Sequence, residues 1–250
     1  MTIITLNEEE RLRACLESVA WADEIIVVDA ESTDKTVEIA GEFTEKIWTR
    51  TWHGFAAQKN FALSQATQPW VLSLDADERV SPELQMGIQE VLDRDGPVDG
   101  FSIPRRNIYW GRWMRRGRLY PDDQLRLFRR GRGCFVAHPV HESVKVDGRV
   151  LGLDAPLIHE SYRSIEEFVS RANRYSTLAA EEAIRAGRSV TAAELLLRPL
   201  GRFFTMYVLH AGFLDGWRGL LLAVLYGYYV FLRTAKIFEA RHAPSHESHQ

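Results

Sequence analysis

At 250 residues, 46% of them hydrophobic, the chain can fill one large core or one domain with an appendage, which excludes a fully disordered protein. Its 31 Lys and Arg against 34 Asp and Glu leave a net charge of −3 and no overall pull toward nucleic acid, so we expect no nucleic-acid partner; a local basic concentration lies in residues 105–132. Two cysteines, Cys15 and Cys134, suit neither a disulfide framework nor a zinc site, and no secretory leader pattern opens the chain, so the expected compartment is the cytoplasm.

Residues 1–6 read as a short strand ended by Asn7. Glu8, Glu9 and Glu10 then suit the first turn of a helix, in which Leu12, Leu16 and Val19 keep helical spacing. Residues 24–28 are near-continuously apolar, as a parallel strand covered on both faces must be, and Asp29 stands at the strand's exit. Ser32, Thr33 and Asp34 offer caps for a helix to about Phe43, residues 46–48 form a third strand, and residues 54–66 a helix that delivers Lys59 and Asn60. The next apolar run, 70–74, ends in three acids within four positions, Asp75, Asp77 and Glu78. In an extended segment Asp75 and Asp77 point the same way, and one divalent ion could lie between them or between them and a phosphate. The competing reading is an acidic turn that caps a helix beginning near Ser81.

This alternation is that of a doubly wound parallel sheet. It gathers Thr5, Asn7, Asp29, Asp75 and Asp77 at the carboxyl ends of strands, where a nucleotide binds in such sheets. No Gly-x-Gly-x-x-Gly follows the first strand and no Gly-Lys-Ser/Thr occurs, which argues against an NAD dehydrogenase or a P-loop kinase. The charge of a diphosphate must then be met by a metal or by basic side chains.

Strand character returns at 100–105, and 106–118 interleaves aromatics with arginines. Rings stack on sugar faces and guanidinium forks bind phosphate, so this stretch suits an anionic or sugar-bearing acceptor; a mobile, merely solubilising loop is the alternative. Tyr120-Pro121-Asp122-Asp123-Gln124-Leu125-Arg126-Leu127-Phe128 follows, with Arg126 either a diphosphate partner or half of a buried ion pair. His138, His141 beside Glu142, and His159 match no zinc spacing.

Thr5-Leu6-Asn7-Glu8-Glu9, then Ile25-Ile26-Val27-Val28-Asp29 with Ser32-Thr33-Asp34-Lys35-Thr36, then Leu74-Asp75-Ala76-Asp77-Glu78 together resemble glycosyltransferase family 2, inverting enzymes with the GT-A fold. The likeness covers about two thirds of the chain and is closest to the lipopolysaccharide-core β-1,4-glucosyltransferase-like branch, although the first strand is shorter than relatives usually show. It implies that Asp29 contacts the nucleotide base, that Asp75 lies near the ribose and close to the metal, and that Asp77 binds Mg²⁺ or Mn²⁺. Thr5, Asn7, Glu8, Lys59 and Arg126 then count as donor contacts, and His159 faces the metal or diphosphate. Alignment on Leu125 puts the catalytic base at Asp122; because Pro121-Asp122 replaces the usual Glu-Asp, Asp123 competes with it. Inverting transfer needs one such carboxylate to take the acceptor proton, and no covalent intermediate.

Ser164-Ile165-Glu166-Glu167 opens a helix to about Gly187. Leu195, Leu196, Leu197, Leu200, Phe203 and Phe204 then form a broad apolar surface punctuated by Arg198 and Arg202. The uncharged run 219–232 has 14 residues, short of the roughly 20 that cross a bilayer, so no transmembrane segment is expected. A helical hairpin on the catalytic domain, a homo-oligomer interface and a peripheral anchor at the inner face of the cytoplasmic membrane all suit the region.

The expected fold is thus α/β, a GT-A, Rossmann-like, mostly parallel sheet flanked by helices with a C-terminal helical appendage. Residues 1–163 form the catalytic domain, 164–241 the helical region and 242–250 a disordered tail. The resemblance implies transfer of a hexose, glucose from UDP-glucose, to a saccharide or glycolipid of the lipopolysaccharide core. A sugar-phosphate pyrophosphorylase or other nucleotidyltransferase would need a glycine-rich basic loop where Glu8, Glu9 and Glu10 stand; a non-catalytic nucleotide-sugar binding module would have no use for Asp75, Asp77 and Asp122 together.

Overall fold

The computed structural model describes residues 1–94, 96–137 and 143–242. They fall into two compact units, 1–113 with 120–161, and 114–119 with the chain from 162 onward. The hexapeptide 114–119 belongs to the second unit, an insertion that the sequence did not suggest.

In the first unit the chain runs β1 (Thr2–Thr5), α1 (Leu12–Glu17), β2 (Ile26–Asp29), α2 (Thr36–Gly41), β3 (Ile47–Thr49), α3 (Phe55–Gln65), β4 (Trp70–Asp75), β5 (Glu78–Val80) and α4 (Pro82–Asp93). It continues as β6 (Gly100–Tyr109), β7 (Arg112–Trp113), β8 (Asp123–Arg129), β9 (Gly133–Val136), β10 (Ser143–Val146), β11 (Val150–Gly152) and β12 (Leu157–Tyr162). Four strands, in the order β3-β2-β1-β4, are parallel, with Thr5 opposite Asp29 and Ile4 opposite Asp75. Both faces of these strands are covered, which is why their sequences are apolar without alternation. Ile3, Val27, Leu72 and Leu74 pack on one side with Leu12, Leu16, Leu84 and Ile88. Ile4, Ile26, Val28 and Val71 pack on the other with Ala56, Ala62 and Phe128.

Beyond β4 the sheet turns antiparallel and becomes mixed. β8 pairs with β4 and β6 with β8, after which β12 and β5 complete the path. β6 is longer than expected and carries Arg105 and Asn107 inside the sheet. At the helix starts, Glu8, Glu9 and Glu10 occupy a turn ahead of α1 rather than its first turn. α4 is capped by Ser81, whose Oγ accepts from Leu84 N at 3.2 Å, so the acids at 75–78 are not its caps. Cys15 is buried and Cys134 exposed, and neither is in a disulfide.

The second unit is helical: α5 (Ile165–Arg185), α6 (Ala192–Phe204) and α7 (Gly216–His242), with a π turn at Thr205–Leu209 and a short 3₁₀ turn at Gly212–Asp215 between the last two. Ser164 Oγ accepts from Glu167 N at 3.0 Å and caps α5. Asp215 accepts from the backbone N–H groups of Arg115 and Arg116, at 3.1 and 2.9 Å, and Gly117 donates to the His210 carbonyl at 3.0 Å, which is how 114–119 joins this unit. Gly219 is required where α7 passes the preceding turn, since a Cβ there would lie 1.9 Å from the Gly212 carbonyl oxygen.

Two expectations are corrected here. The uncharged run understated the last helix: α7 has 27 residues, and the segment Gly212–His242 is long and apolar enough to cross a bilayer. Its charges do not end it, because Lys236 Nζ finds four acceptors on α5, the Asn173 carbonyl and side chain, Ser176 Oγ and Thr177 Oγ1, at 2.7–2.9 Å. The expected tail also starts too early, since His242 is helical; residues 243–250 lie outside the described residues.

Candidate active site

Side chains two apart on a strand share a face, and alternation on the antiparallel strands builds most of the site. β6 contributes Arg105 and Asn107, β12 contributes His159 and Ser161, and β8 contributes Gln124 and Arg126, with Asp122 just ahead of it. They meet the end of β4 and the turn that holds Asp77.

The centre is a buried ion network. Asp75 Oδ1 lies 2.7 Å from Lys59 Nζ and Oδ2 lies 2.6 Å from Arg126. Glu78, fully buried, takes Arg126 at 2.5 Å and Arg105 at 3.4 Å on one oxygen and accepts from Asp75 N at 3.0 Å on the other. Burial pushes the Asp75 carboxyl up, but Arg126 and Lys59 outweigh it and hold the group far below the usual carboxylate range. Arg126, pulled down by burial, is raised by Asp75 and Glu78.

This geometry revises several expectations. Arg126 takes the ion-pair role. Lys59 is buried against Asp75, with its Nζ over the Phe135 ring, so it supports that aspartate rather than facing a donor. Asp75 has both oxygens in ion pairs, and 76–77 form a turn, so the extended segment expected to carry Asp75 and Asp77 together ends at Asp75.

At the nucleotide end, Asp29 is buried and accepts from Thr5 Oγ1 at 3.0 Å, Ser32 Oγ at 2.5 Å and Ser32 N at 2.8 Å. Thr5 is itself buried, and its hydroxyl is directed at Asp29. Asn7, at a positive φ of 53°, accepts from Thr33 N at 2.9 Å and donates its own N–H to Ser32 Oγ at 2.8 Å. Glu8 N donates to Thr36 Oγ1 at 2.8 Å. These bonds lace the loops after β1 and β2 together, so Asn7 and Glu8 shape that corner.

A second chain of contacts leads from Asp122 to Asp77. Asp122 Oδ2 accepts from Arg105 Nε at 2.9 Å, from its terminal nitrogen at 2.7 Å and from Asn107 Nδ2 at 3.1 Å, while Oδ1 accepts from Gln124 at 2.8 Å. Burial raises this carboxyl, yet Arg105 and these hydrogen bonds bring it below its ordinary value, so it is ionised at neutral pH. A carboxylate only accepts, so Asn107 turns its NH₂ to Asp122 and its oxygen to His159 Nδ1, 2.6 Å away. That assigns the proton to Nδ1 in the neutral ring and turns the Nε2 lone pair toward Asp77 Oδ2, at 3.5 Å. Ser161 Oγ also donates to Asn107 Oδ1, at 3.2 Å. Asp123, on the opposite side of the strand, is exposed.

Among the described residues no cluster of three or more His, Cys, Asp or Glu forms a complete metal cage. Asp77 and His159 nonetheless fit a divalent ion, with one oxygen and one nitrogen donor facing each other. His138, His141 and Glu142 lie outside the described residues. The stretch 106–118 divides: Asn107 enters the site beside Arg105, Arg106 stacks on Trp113 at 4.4 Å, Trp113 meets the edge of Tyr120 at 5.1 Å, and 114–119 belongs to the second unit.

Sequence reasoning gave no individual role to Glu78 or Arg105, and placed Asn107 only within the acceptor stretch 106–118. The period-two spacing of Arg105 with Asn107 was a usable signal, obscured by the neighbouring arginines and aromatics.

A four-stranded parallel nucleotide sheet with carboxylates at its exit, extended through antiparallel strands that bring in a further carboxylate, defines the GT-A class of sugar-nucleotide transferase folds. The mannosyltransferase PcManGT of Pyrobaculum calidifontis, solved with GDP-mannose and Mn²⁺, shares this fold at a TM-score of 0.54, with 17% identity over 94% of this chain and 85% of its own. Residues 2–146 match the model of glycosyl transferase family 2, and the chain belongs to that family. It is 33% identical to the lipopolysaccharide core biosynthesis glycosyltransferase LpsC of Rhizobium meliloti, over 96% of this chain and 92% of that protein. An uncharacterised glycosyltransferase of Rickettsia typhi is 31% identical over 95% and 85% of the two chains.

Proposed function

We propose that this family 2 glycosyltransferase moves a hexose with inversion from a nucleoside-diphosphate sugar, UDP-glucose in the first instance, to a saccharide or glycolipid acceptor of the lipopolysaccharide core, in the cytoplasm. The observation that carries the mechanism is the run Asp122–Asn107–His159–Asp77, which ties a carboxylate base to a pair of metal donors. Likeness to LpsC over nearly the full length of both proteins supports the acceptor class.

Asp122 takes the proton of the acceptor hydroxyl as that oxygen attacks the anomeric carbon. Arg105 keeps it ionised beforehand, and its partly open side chain lets the proton pass to water afterwards. Asp77 and His159 would hold Mn²⁺ or Mg²⁺, which when bound supplies positive charge to the diphosphate; an imidazole donor favours Mn²⁺. Asp29 and Asp75 fix the nucleoside side, Asp75 in an orientation set by Lys59 and Arg126.

The test measures UDP release with a core-oligosaccharide acceptor, beside thermal shifts with UDP and Mn²⁺. Asp122→Asn should lose transfer by about 10²–10⁴-fold while keeping the ligand-induced shift. Asp123→Asn should keep both. Turnover retained in Asp122→Asn and lost in Asp123→Asn would move the base.

A further inference from the structure

The second unit carries an apolar face that its own packing leaves uncovered. On α6, Leu196, Leu197 and Leu200 are 67%, 66% and 62% exposed, and no residue of this helix is fully buried. Leu196, Leu200 and Phe204 follow one another at steps of four, so they form a stripe along one side of the helix. The surface extends through Leu209 to Trp217, both more than 60% exposed. Single exposed leucines are ordinary, but a continuous set of this size marks a surface that something covers.

The charge around it says what. Residues 114–119 and 162–242 hold 14 Lys and Arg against 7 Asp and Glu, although the whole chain is acidic at −3. On α6 the helical period turns Arg198 and Arg202 away from the leucine stripe, Arg198 pairing with Glu194 and Arg202 lying over the Tyr226 ring. The cations beside the apolar surface are Arg218, which follows Trp217 with its guanidinium 4.6 Å from that ring, and the exposed Arg115 and Arg116, whose backbone N–H groups Asp215 holds. We propose that this face docks on an anionic lipid surface, with the leucines and Trp217 at the acyl boundary and Arg115, Arg116 and Arg218 at the headgroup phosphates. A second copy is the poorer occupant, because a two-fold contact would press two like-charged faces together. A membrane-spanning α7 would have to strip Lys236 from its four acceptors on α5. The inference stands apart from the choice of donor sugar.

The experiment is co-flotation of the full chain with vesicles of phosphatidylglycerol and phosphatidylethanolamine, and separately of phosphatidylcholine. Binding to the anionic vesicles alone, weakened by salt and reversed by an alkaline carbonate wash, is expected. The triple variant Leu196→Gln, Leu197→Gln, Leu200→Gln should melt as the parent does, because these side chains are exposed, and should partition at least about tenfold more weakly. The proposal is overturned by absent partitioning, by equal binding to phosphatidylcholine, by resistance to the carbonate wash, or by a solution dimer that the triple variant dissociates.

Discussion

Replacing Lys59 with methionine asks whether the buried cation holds Asp75 or touches the donor. Methionine keeps most of the stem and removes the charge. At an effective dielectric of 20, a pair 2.7 Å apart attracts by about 6 kcal/mol. Removing the lysine also removes the several kcal/mol spent in burying it, so the net loss is smaller. Asp75 keeps Arg126 at 2.6 Å, which puts the cost near the low end of the ~3–5 kcal/mol typical when one partner of a buried pair is removed. We expect about 3 kcal/mol, or a Tm lowered by roughly 6–12 °C for a chain of this size. Differential scanning fluorimetry with and without UDP and Mn²⁺ reads both roles. A Tm within about 2 °C of the parent, combined with lost UDP affinity, would refute the reasoning and make Lys59 a donor contact.

Three further outcomes follow from other sites. Asn107→Leu unties His159 Nδ1 from Asp122, and Mn²⁺ affinity in the presence of UDP, read by calorimetry, should fall by about 10–100-fold, as when a partner of a metal-ligating histidine is lost; unchanged Mn²⁺ affinity would dismiss the link. Gly133→Ala places a Cβ 2.3 Å from the ring of the core residue Phe128 and should cost about 1–3 kcal/mol in urea unfolding, with no loss meaning that the strand shifts freely. At Glu24, burial pushes the carboxyl up, but Lys46 together with the N–H and hydroxyl of Thr67 holds it at about 2, against an ordinary value of 4.5. A depressed carboxyl stabilises the fold above its unfolded value, so this contribution is lost as pH falls from about 4.5 toward 2. Glu24→Gln should therefore flatten the acid limb of a Tm–pH curve, and an unaltered limb would assign that limb to other groups.

The parallel half of the sheet was legible because buried parallel strands wear their burial openly: Ile25, Ile26, Val27 and Val28 run on with no polar residue between them before Asp29. The antiparallel half was not, since Arg105, Asn107, Gln124 and Arg126 fill the positions where a strand sequence ordinarily shows its apolar face. Which acid meets which base depended on register. Asp75 and Arg126 are 51 positions apart and become partners because β8 pairs with β4. The turn at 76–77 was hidden as well, and it breaks the extended geometry that the Asp-x-Asp spacing assumes. For α7, the charges that bounded its uncharged run misled, because Arg218 and Arg233 both lie inside the helix Gly216–His242 rather than at its ends.

The hexapeptide 114–119 limits how this protein can be inherited or engineered in pieces. Its backbone is fastened by Asp215 and the His210 carbonyl, yet it is spliced into the catalytic sequence, and Asp122 follows only three positions after Leu119. A truncation at residue 162, or a C-terminal exchange with a relative, would leave the amides of Arg115 and Arg116 without their acceptor and slacken the peptide leading to Asp122. The helical unit is therefore not an interchangeable cassette: a functional chimaera must carry over two separated stretches of sequence that match one another.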